Sequence, residues 1–359
     1  MTGFEQFLKT LQTTYLPEQS AFGWFHLLFL FIGLITCVLI FLFRNRIKTT
    51  GVKWFLIGLW IYFILDCVAS QVVSSFNGVD PFTGAESWAW RYDLNNLPLQ
   101  LCSASLFFYL PAALLINAKS KNGKLFRDTF MTFNATFLFY SAGFLYVYPV
   151  NVLGSNVILY YAIRTMIFHL ALLVGGFVIL ATRQIKFNVW NFLKASVCFA
   201  ILLAIAVTIN EVYYYAYYVP KQNEVGVDLT KYTKLYVVNL YYVSAHFSFP
   251  LLDPVKKVFY YPQWYWVFIL LYFIVLCAGC CVVIYVSLGC DKLSHYIFVQ
   301  TDEKCPQCKD HNLVIWRHVG GGTVHCSDFP ICHYTLKDKK KVNKLLNEYL
   351  KPKTKKSVK

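Results

Sequence analysis

The sequence predicts an all-α polytopic membrane protein of about seven transmembrane helices, N-terminus outside, followed by a small cytoplasmic ribbon built on a β-hairpin. Three observations predict it. The chain is 57% hydrophobic and 19% aromatic but only 14% charged across 359 residues, too apolar for a soluble domain of that length. Its apolar residues gather into runs of bilayer-crossing length. Four late cysteines stand as two close pairs separated by a glycine-rich stretch.

Residues 1–22 form an extracytoplasmic segment in which Lys9 is the lone cation, set against Glu5 and Glu18. The apolar run that follows is longer than a typical leader core, so it is expected to stay in the protein. Spans are expected near 23–43, 53–76, 96–117, 126–146, 158–182, 194–217 and 264–288, each able to cross about 30 Å of hydrocarbon. Residues 23–290 are then the membrane domain. Cations cluster in alternate connections: Arg44, Arg46, Lys48 and Lys53; Lys119, Lys121, Lys124 and Arg127; Arg183, Lys186 and Lys194. The positive-inside rule turns these loops to the cytoplasm. The intervening connections mix signs, as in Asp80, Glu86, Arg91 and Asp93. This is the topology of a multi-pass plasma-membrane protein with a cytoplasmic tail, and the net charge of +15 reads as topology before it reads as a partner.

In that tail Cys305 and Cys308 form one short loop and Cys326 and Cys332 a second, with 313–325 between them as a hairpin. Four thiolates complete a tetrahedral Zn2+ site, and residues 300–336 bury too little core to fold without the ion. Two disulfides are the competing reading, disfavoured in a reducing compartment. His311, His318, His325 and His333 are expected around the site rather than in it. Trp316, Phe329 and Tyr334 offer stacking surfaces. Residues 337–359 hold ten lysines and an apolar stripe at Val342, Leu345, Leu346, Tyr349 and Leu350. A basic amphipathic helix beside a bilayer is expected on anionic lipid headgroups; nucleic acid or a protein at the ribbon is the other partner considered.

Polar residues inside the spans are costly and therefore mark candidate sites. Asp66, Gln100, Cys102, Arg164, His169, Asn210 and Glu211 all fall between the bilayer centre and the outer surface once the helices alternate. This depth coincidence predicts a polar pocket toward the outer leaflet, with a purely structural ion-pair network as the bland alternative. Cys102 and His169 are the pair able to run covalent chemistry, a thiolate being the nucleophile and an imidazole its base. Cys102 follows Asn95, Asn96, Pro98 and Gln100 at a helix start, which sets it apart from Cys37, Cys67, Cys198, Cys277, Cys280, Cys281 and Cys290, read as packing.

The run Leu97-Pro98-Leu99-Gln100-Leu101-Cys102-Ser103 resembles the Leu-Pro-Leu-His-Leu-Cys signature of the YwaF-like family of bacterial integral membrane proteins. The helix carrying Arg164 and His169, Asn210, the run Asn239-Leu240-Tyr241-Tyr242, and Pro250 to Asp253 are similar to later parts of that family. Two departures stand out: Gln100 replaces the family's His, and 221–234 looks like an insertion. The family is distantly similar to eukaryotic membrane proteins that look like lipid acyltransferases or hydrolases. That resemblance implies Cys102 as acyl acceptor and His169 as base; Asp66, Gln100, Arg164, Asn210, Glu211 and Asn239 are the residues expected around the substrate. The ribbon resembles the four-cysteine fingers at the C-terminal ends of bacterial type I topoisomerases, which implies single-stranded DNA as ligand. Three functions stay open: lipid acyl transfer or hydrolysis, small-solute transport or reception at the same pocket, and a membrane anchor for the ribbon.

Overall fold

A computed structural model describes the chain except for residues 17–19, 45–46, 80–85, 93–96, 150–152, 154–156, 186–187, 226–237, 260, 319–320, 329–331 and 351–359. Arg46, Asp80, Asp93, Asn95, Asn96, Lys186, Phe329 and the lysines beyond 350 lie outside the described residues, as do the side chains of Cys290, His318 and Leu350. The helices are α1 (Gly3–Thr13), α2 (Trp24–Phe43), α3 (Thr49–Ser75), α4 (Ser105–Leu114), α5 (Lys121–Phe133), α6 (Phe139–Val147), α7 (Leu159–Ala181), α8 (Val189–Tyr213), α9 (Val219–Val225), α10 (Asp253–Val258), α11 (Tyr265–Ile297) and α12 (Lys339–Leu350). Strands β1 (Phe76–Val79) and β2 (Glu86–Trp90) form a hairpin directly after α3.

Among the described residues six helices are long and apolar enough to cross a bilayer: Trp24–Phe43, Thr49–Ser75, Lys121–Val147, Leu159–Ala181, Val189–Glu224 and Tyr265–Gly289. The chain is a multi-pass membrane protein. The expected span at 96–117 is instead half-length. Only Leu101–Leu114 is helical there, about 21 Å at 1.5 Å per residue. Pro98 precedes the turn that opens it, and Pro111 removes an N–H from its interior.

Helix starts follow local chemistry. The side chain of Ser120 accepts from the Gly123 N–H at the head of α5, and that of Asn188 from the Asn191 N–H at the head of α8. α7 ends where Arg183 adopts a left-handed φ of 52°. Two π-turns interrupt long helices, Asn134–Leu138 between α5 and α6 and Tyr214–Tyr218 between α8 and α9.

Lipid supplies no hydrophobic drive between helices, so close packing must. α7 is central, packed on α2, α3 and α6. It carries Gly175, where a Cβ would collide with the Tyr109 hydroxyl, and Gly176, where it would meet the Phe139 Cβ at 2.7 Å. Phe63, Phe108, Tyr109, Phe133, Phe137 and Phe199 fill the core between these helices, while Leu34, Leu65, Trp190 and Leu270 face outward.

The C-terminal unit is a three-stranded antiparallel sheet rather than a lone hairpin. Its order is β3 (Phe298–Lys304), β4 (Asn312–His318), β5 (Gly321–Cys326). α12 belongs to it. Leu345 is buried against Ile315 and Val324, and Val342, Leu346 and Tyr349 pack beside it. Tyr349 also donates to the Asp302 carboxylate at 3.1 Å. Val342, Leu345, Leu346 and Tyr349 of the stripe expected on lipid are therefore spent on the ribbon, whose core extends past 336.

Candidate functional site

Helices cannot satisfy the backbone of residues 239–244, which form an irregular segment wedged among α4, α8 and α11. Irregular backbone within membrane-spanning structure needs partners from the protein. Asn210 meets both polar groups of Leu240: its Nδ2 donates to the carbonyl at 3.1 Å and its Oδ1 accepts the N–H at 2.9 Å. The Gln100 Nε2 donates to the Asn239 carbonyl at 3.2 Å, and its Oε1 accepts the Tyr241 N–H at 2.7 Å. The Asn239 Oδ1 accepts from the Ser244 N–H, and the hydroxyls of Tyr265 and Tyr272 donate to the Val243 and Tyr241 carbonyls. Tyr241 and Tyr242 hold positive φ of 57° and 58°, a conformation that persists only when its surroundings over-determine it. Gln100, Asn210 and Asn239, expected around a substrate, thus build the scaffold.

Cys102 lies two residues after Gln100 in the Leu101–Ala104 turn at the head of α4. It packs against the buried core of the bundle, to which Tyr241 belongs. Arg164 is paired with Asp66, Nη2 to Oδ2 at 2.6 Å, the carboxylate being 9% exposed and the guanidinium 25%. Its Nε is buried without a hydrogen-bond partner among the described residues. His169 lies five residues, about one and a half turns, further along α7.

The His169 Nδ1 lies 2.8 Å from the Thr165 carbonyl. A carbonyl only accepts, so Nδ1 carries the proton and the neutral ring leaves Nε2 as a lone-pair base. No hydrogen bond joins His169 to Cys102 among the described residues. A small cleft lined by Pro98, Leu99, Gln100, Ala104, Phe107, Leu202, Ile205, Ala206 and Tyr241 opens beside the turn that carries Cys102.

Glu211 is not part of this group. Its Oε2 meets the His246 Nε2 at 3.1 Å and accepts from the Tyr261 hydroxyl at 3.3 Å. The His246 ring stacks on Tyr214 at 3.6 Å, and Tyr215 meets Tyr261 hydroxyl to hydroxyl at 2.9 Å. His246 went unmarked in sequence because it falls outside the apolar runs. The signal available was the need of Glu211 for a partner, together with the tyrosine cluster at 213–218.

The four thiols of Cys305, Cys308, Cys326 and Cys332 lie within 4.8 Å of one another, a group that can hold a metal ion. Cys305 and Cys332 approach to 3.6 Å and Cys308 and Cys326 to 3.5 Å, too far for disulfides and close to the S···S separation of about 3.8 Å implied by tetrahedral Zn–S bonds of about 2.3 Å. The His311 Nδ1 lies 3.8 Å from the Cys308 Sγ. His325 sits apart from the ion position, bonded to the hydroxyls of Thr323 and Thr335, and burial pushes its pKa down to about 4, so it is neutral at pH 7.

No family model, curated protein or solved structure matches this chain.

Proposed function

We propose that this protein transfers or hydrolyses lipid acyl chains within the membrane, with Cys102 as nucleophile and His169 as base, as the resemblance to YwaF-like proteins implies. One observation carries the reading: the Thr165 carbonyl holds the His169 proton at Nδ1 and leaves the Nε2 lone pair available, on the same helix whose Arg164 pairs with Asp66. Nε2 takes the Cys102 proton, and the sulfur attacks the ester carbonyl. The alkoxide leaving group recovers the proton from His169, and the acyl chain rests on Cys102 as a thioester. An alcohol, amine or water then gives its proton to Nε2 as it attacks the thioester, and the departing thiolate is reprotonated. In the free protein no hydrogen bond links base to nucleophile, and the proposed reaction requires a substrate group or water to bridge them. The unpartnered Arg164 Nε suits a lipid phosphate.

Half-length α4 with the scaffolded 239–244 segment stands where a seventh span was expected. The basic loops and the C-terminal ribbon are read as cytoplasmic, and the membrane as the plasma membrane. Thiolate donors at this spacing favour Zn2+ as the ion. Membrane lipids are the partners of the bundle, and the lysines of the ribbon unit are the element facing anionic headgroups.

The test is turnover of acyl-labelled phospholipid by the protein in proteoliposomes. Activity should vanish in Cys102→Ala and fall in His169→Ala, whereas full activity in Cys102→Ala contradicts the proposal. The unpartnered Nε of Arg164 also favours a second reading, a binder of a small anionic solute. In that case Cys102→Ala keeps binding and Arg164→Met loses it.

A further inference from the structure

Helix α1 divides its surface three ways. At 100° per residue, Glu5, Leu8, Lys9 and Gln12 share one flank, Phe4 and Phe7 lie on the next, and Gln6, Thr10 and Thr13 lie opposite. The first flank is occupied by the protein. Leu8 is buried in a cluster with Val73 and Phe76, joined by Tyr160 and Tyr161. The Gln12 Nε2 donates to the Val73 carbonyl at 2.6 Å, and the Lys9 ammonium meets Glu86 at 2.8 Å. The third flank is polar and solvated. The second is apolar: Leu11 packs on the Leu8 cluster, whereas Phe4 and Phe7, nearer the N-terminus, are 55% and 56% exposed. Trp90 is stacked on Phe4 at 6.5 Å between ring centres and is 51% exposed.

The position of α1 decides what covers that flank. α1 docks on the last turn of α3 and the first of α7, where the Leu159 N–H donates to the Thr14 carbonyl at 2.7 Å. It therefore lies across the ends of two spans, at the level where hydrocarbon meets headgroups. The spans beneath it present Ile61, Leu65 and Val68 on α3 and Ile163 and Ile167 on α7 as exposed apolar side chains, so the lipid-facing surface runs up to the helix. Trp belongs to the interfacial aromatic belt, and Phe with Trp makes the apolar face of helices that lie in the interface. The helix is preformed rather than induced by lipid: the Thr2 hydroxyl accepts the Glu5 N–H while the Glu5 carboxylate accepts the Thr2 N–H. The cation and acids on its inner flank are spent within the protein, Lys9 on Glu86 and Glu5 on Thr2 and Trp90. Attraction to anionic lipid is thus not what holds it.

We infer that α1 together with Trp90 is an interfacial membrane anchor, with Phe4, Phe7 and the Trp90 ring seated in the headgroup and upper acyl region of the leaflet on the side where α3 ends and α7 begins. The occupant is zwitterionic lipid. The inner flank of the helix clasps the α3 and α7 ends, whose first to third turns carry Arg164 and Asp66. The anchor thus sets the depth of the two helix ends nearest the Asp66–Arg164 pair.

The experiment places an environment-sensitive fluorescent amino acid in turn at positions 4, 6, 7 and 13 of the full chain, reconstituted in phosphatidylcholine vesicles that carry nitroxide labels high or low on the acyl chain. Burial of about 5–10 Å is expected for an interfacial helix. Emission at positions 4 and 7 should shift to the blue and be lost to the shallow nitroxide more than to the deep one, with positions 6 and 13 water-like and unquenched. Water-like emission at positions 4 and 7 overturns the anchor. Blue-shifted emission that no nitroxide quenches also overturns it, since a second protein copy then covers the flank. Hydroxyl-radical footprinting of the unsubstituted protein in the same vesicles asks the question without a variant: oxidation of Phe4 and Phe7 far below that expected from their exposure supports the anchor, and oxidation at the expected level refutes it.

Discussion

The Asp66–Arg164 pair is where a single side chain decides most. Removing one partner of a pair this poorly solvated leaves an uncompensated charge, at a cost of about 3–5 kcal/mol. We expect Asp66→Leu to unfold at markedly lower temperature in detergent than the double variant Asp66→Leu/Arg164→Leu, which removes both charges. Equal melting of the two would mean that the pair is not coupled. Gln100 and Asn210 give a second expectation at this scale. Each makes two hydrogen bonds to 239–241, so Asn210→Ala should cost about 1–3 kcal/mol and speed amide exchange at Leu240, measured by hydrogen–deuterium exchange. Unchanged protection of 239–244 would remove the scaffold role. That Asp66, Arg164 and Asn210 stand within apolar spans was legible in sequence. Their partners were not, because Gln100 meets a backbone about 140 residues away and no local pattern encodes that meeting.

Among the elements, long apolar runs gave themselves away while short ones did not. A run of about 20 apolar residues has one stable use in lipid, so six spans follow from composition. At 96–117 the composition is equally apolar, yet two prolines and the Gln100 latch cut the helix to Leu101–Leu114. The ribbon repeats the lesson. Four cysteines at short spacing announce their own cluster, but the apolar stripe of α12 has two possible destinations, lipid or sheet. Packing on β5 decides between them: Leu346 lies where a Cβ on Gly322 would sit, 2.6 Å away. We expect Leu345→Ala to destabilise the ribbon by about 2–5 kcal/mol, seen as faster proteolysis between β5 and α12 with the bundle intact. Cys305→Ser should lower bound metal, read by native mass spectrometry, and chelation should unfold the ribbon without melting the helices. A ribbon that resists chelators would show that α12 supplies enough core without an ion.

Over the whole molecule, the arrangement joins an apolar bundle, one cluster of ionisable groups near the α3 and α7 ends, and a cysteine-pinned unit at the far end of α11. Topology is the property that relates them. With the basic loops inside, protease added to sealed right-side-out vesicles should spare the ribbon, while inverted vesicles should lose it; the reverse result would invert the orientation. The most direct measurement concerns the cluster itself. An electrophilic lipid probe, an acyl phosphonate or a chloroacetamide lipid, is added to the purified protein, and the modified cysteine is mapped by mass spectrometry in the natural chain and in His169→Ala. Modification should concentrate at Cys102 over the other bundle cysteines and drop in the His169 variant. Labelling spread evenly over Cys37, Cys198 and Cys281, or labelling of Cys102 that is indifferent to His169, would contradict it.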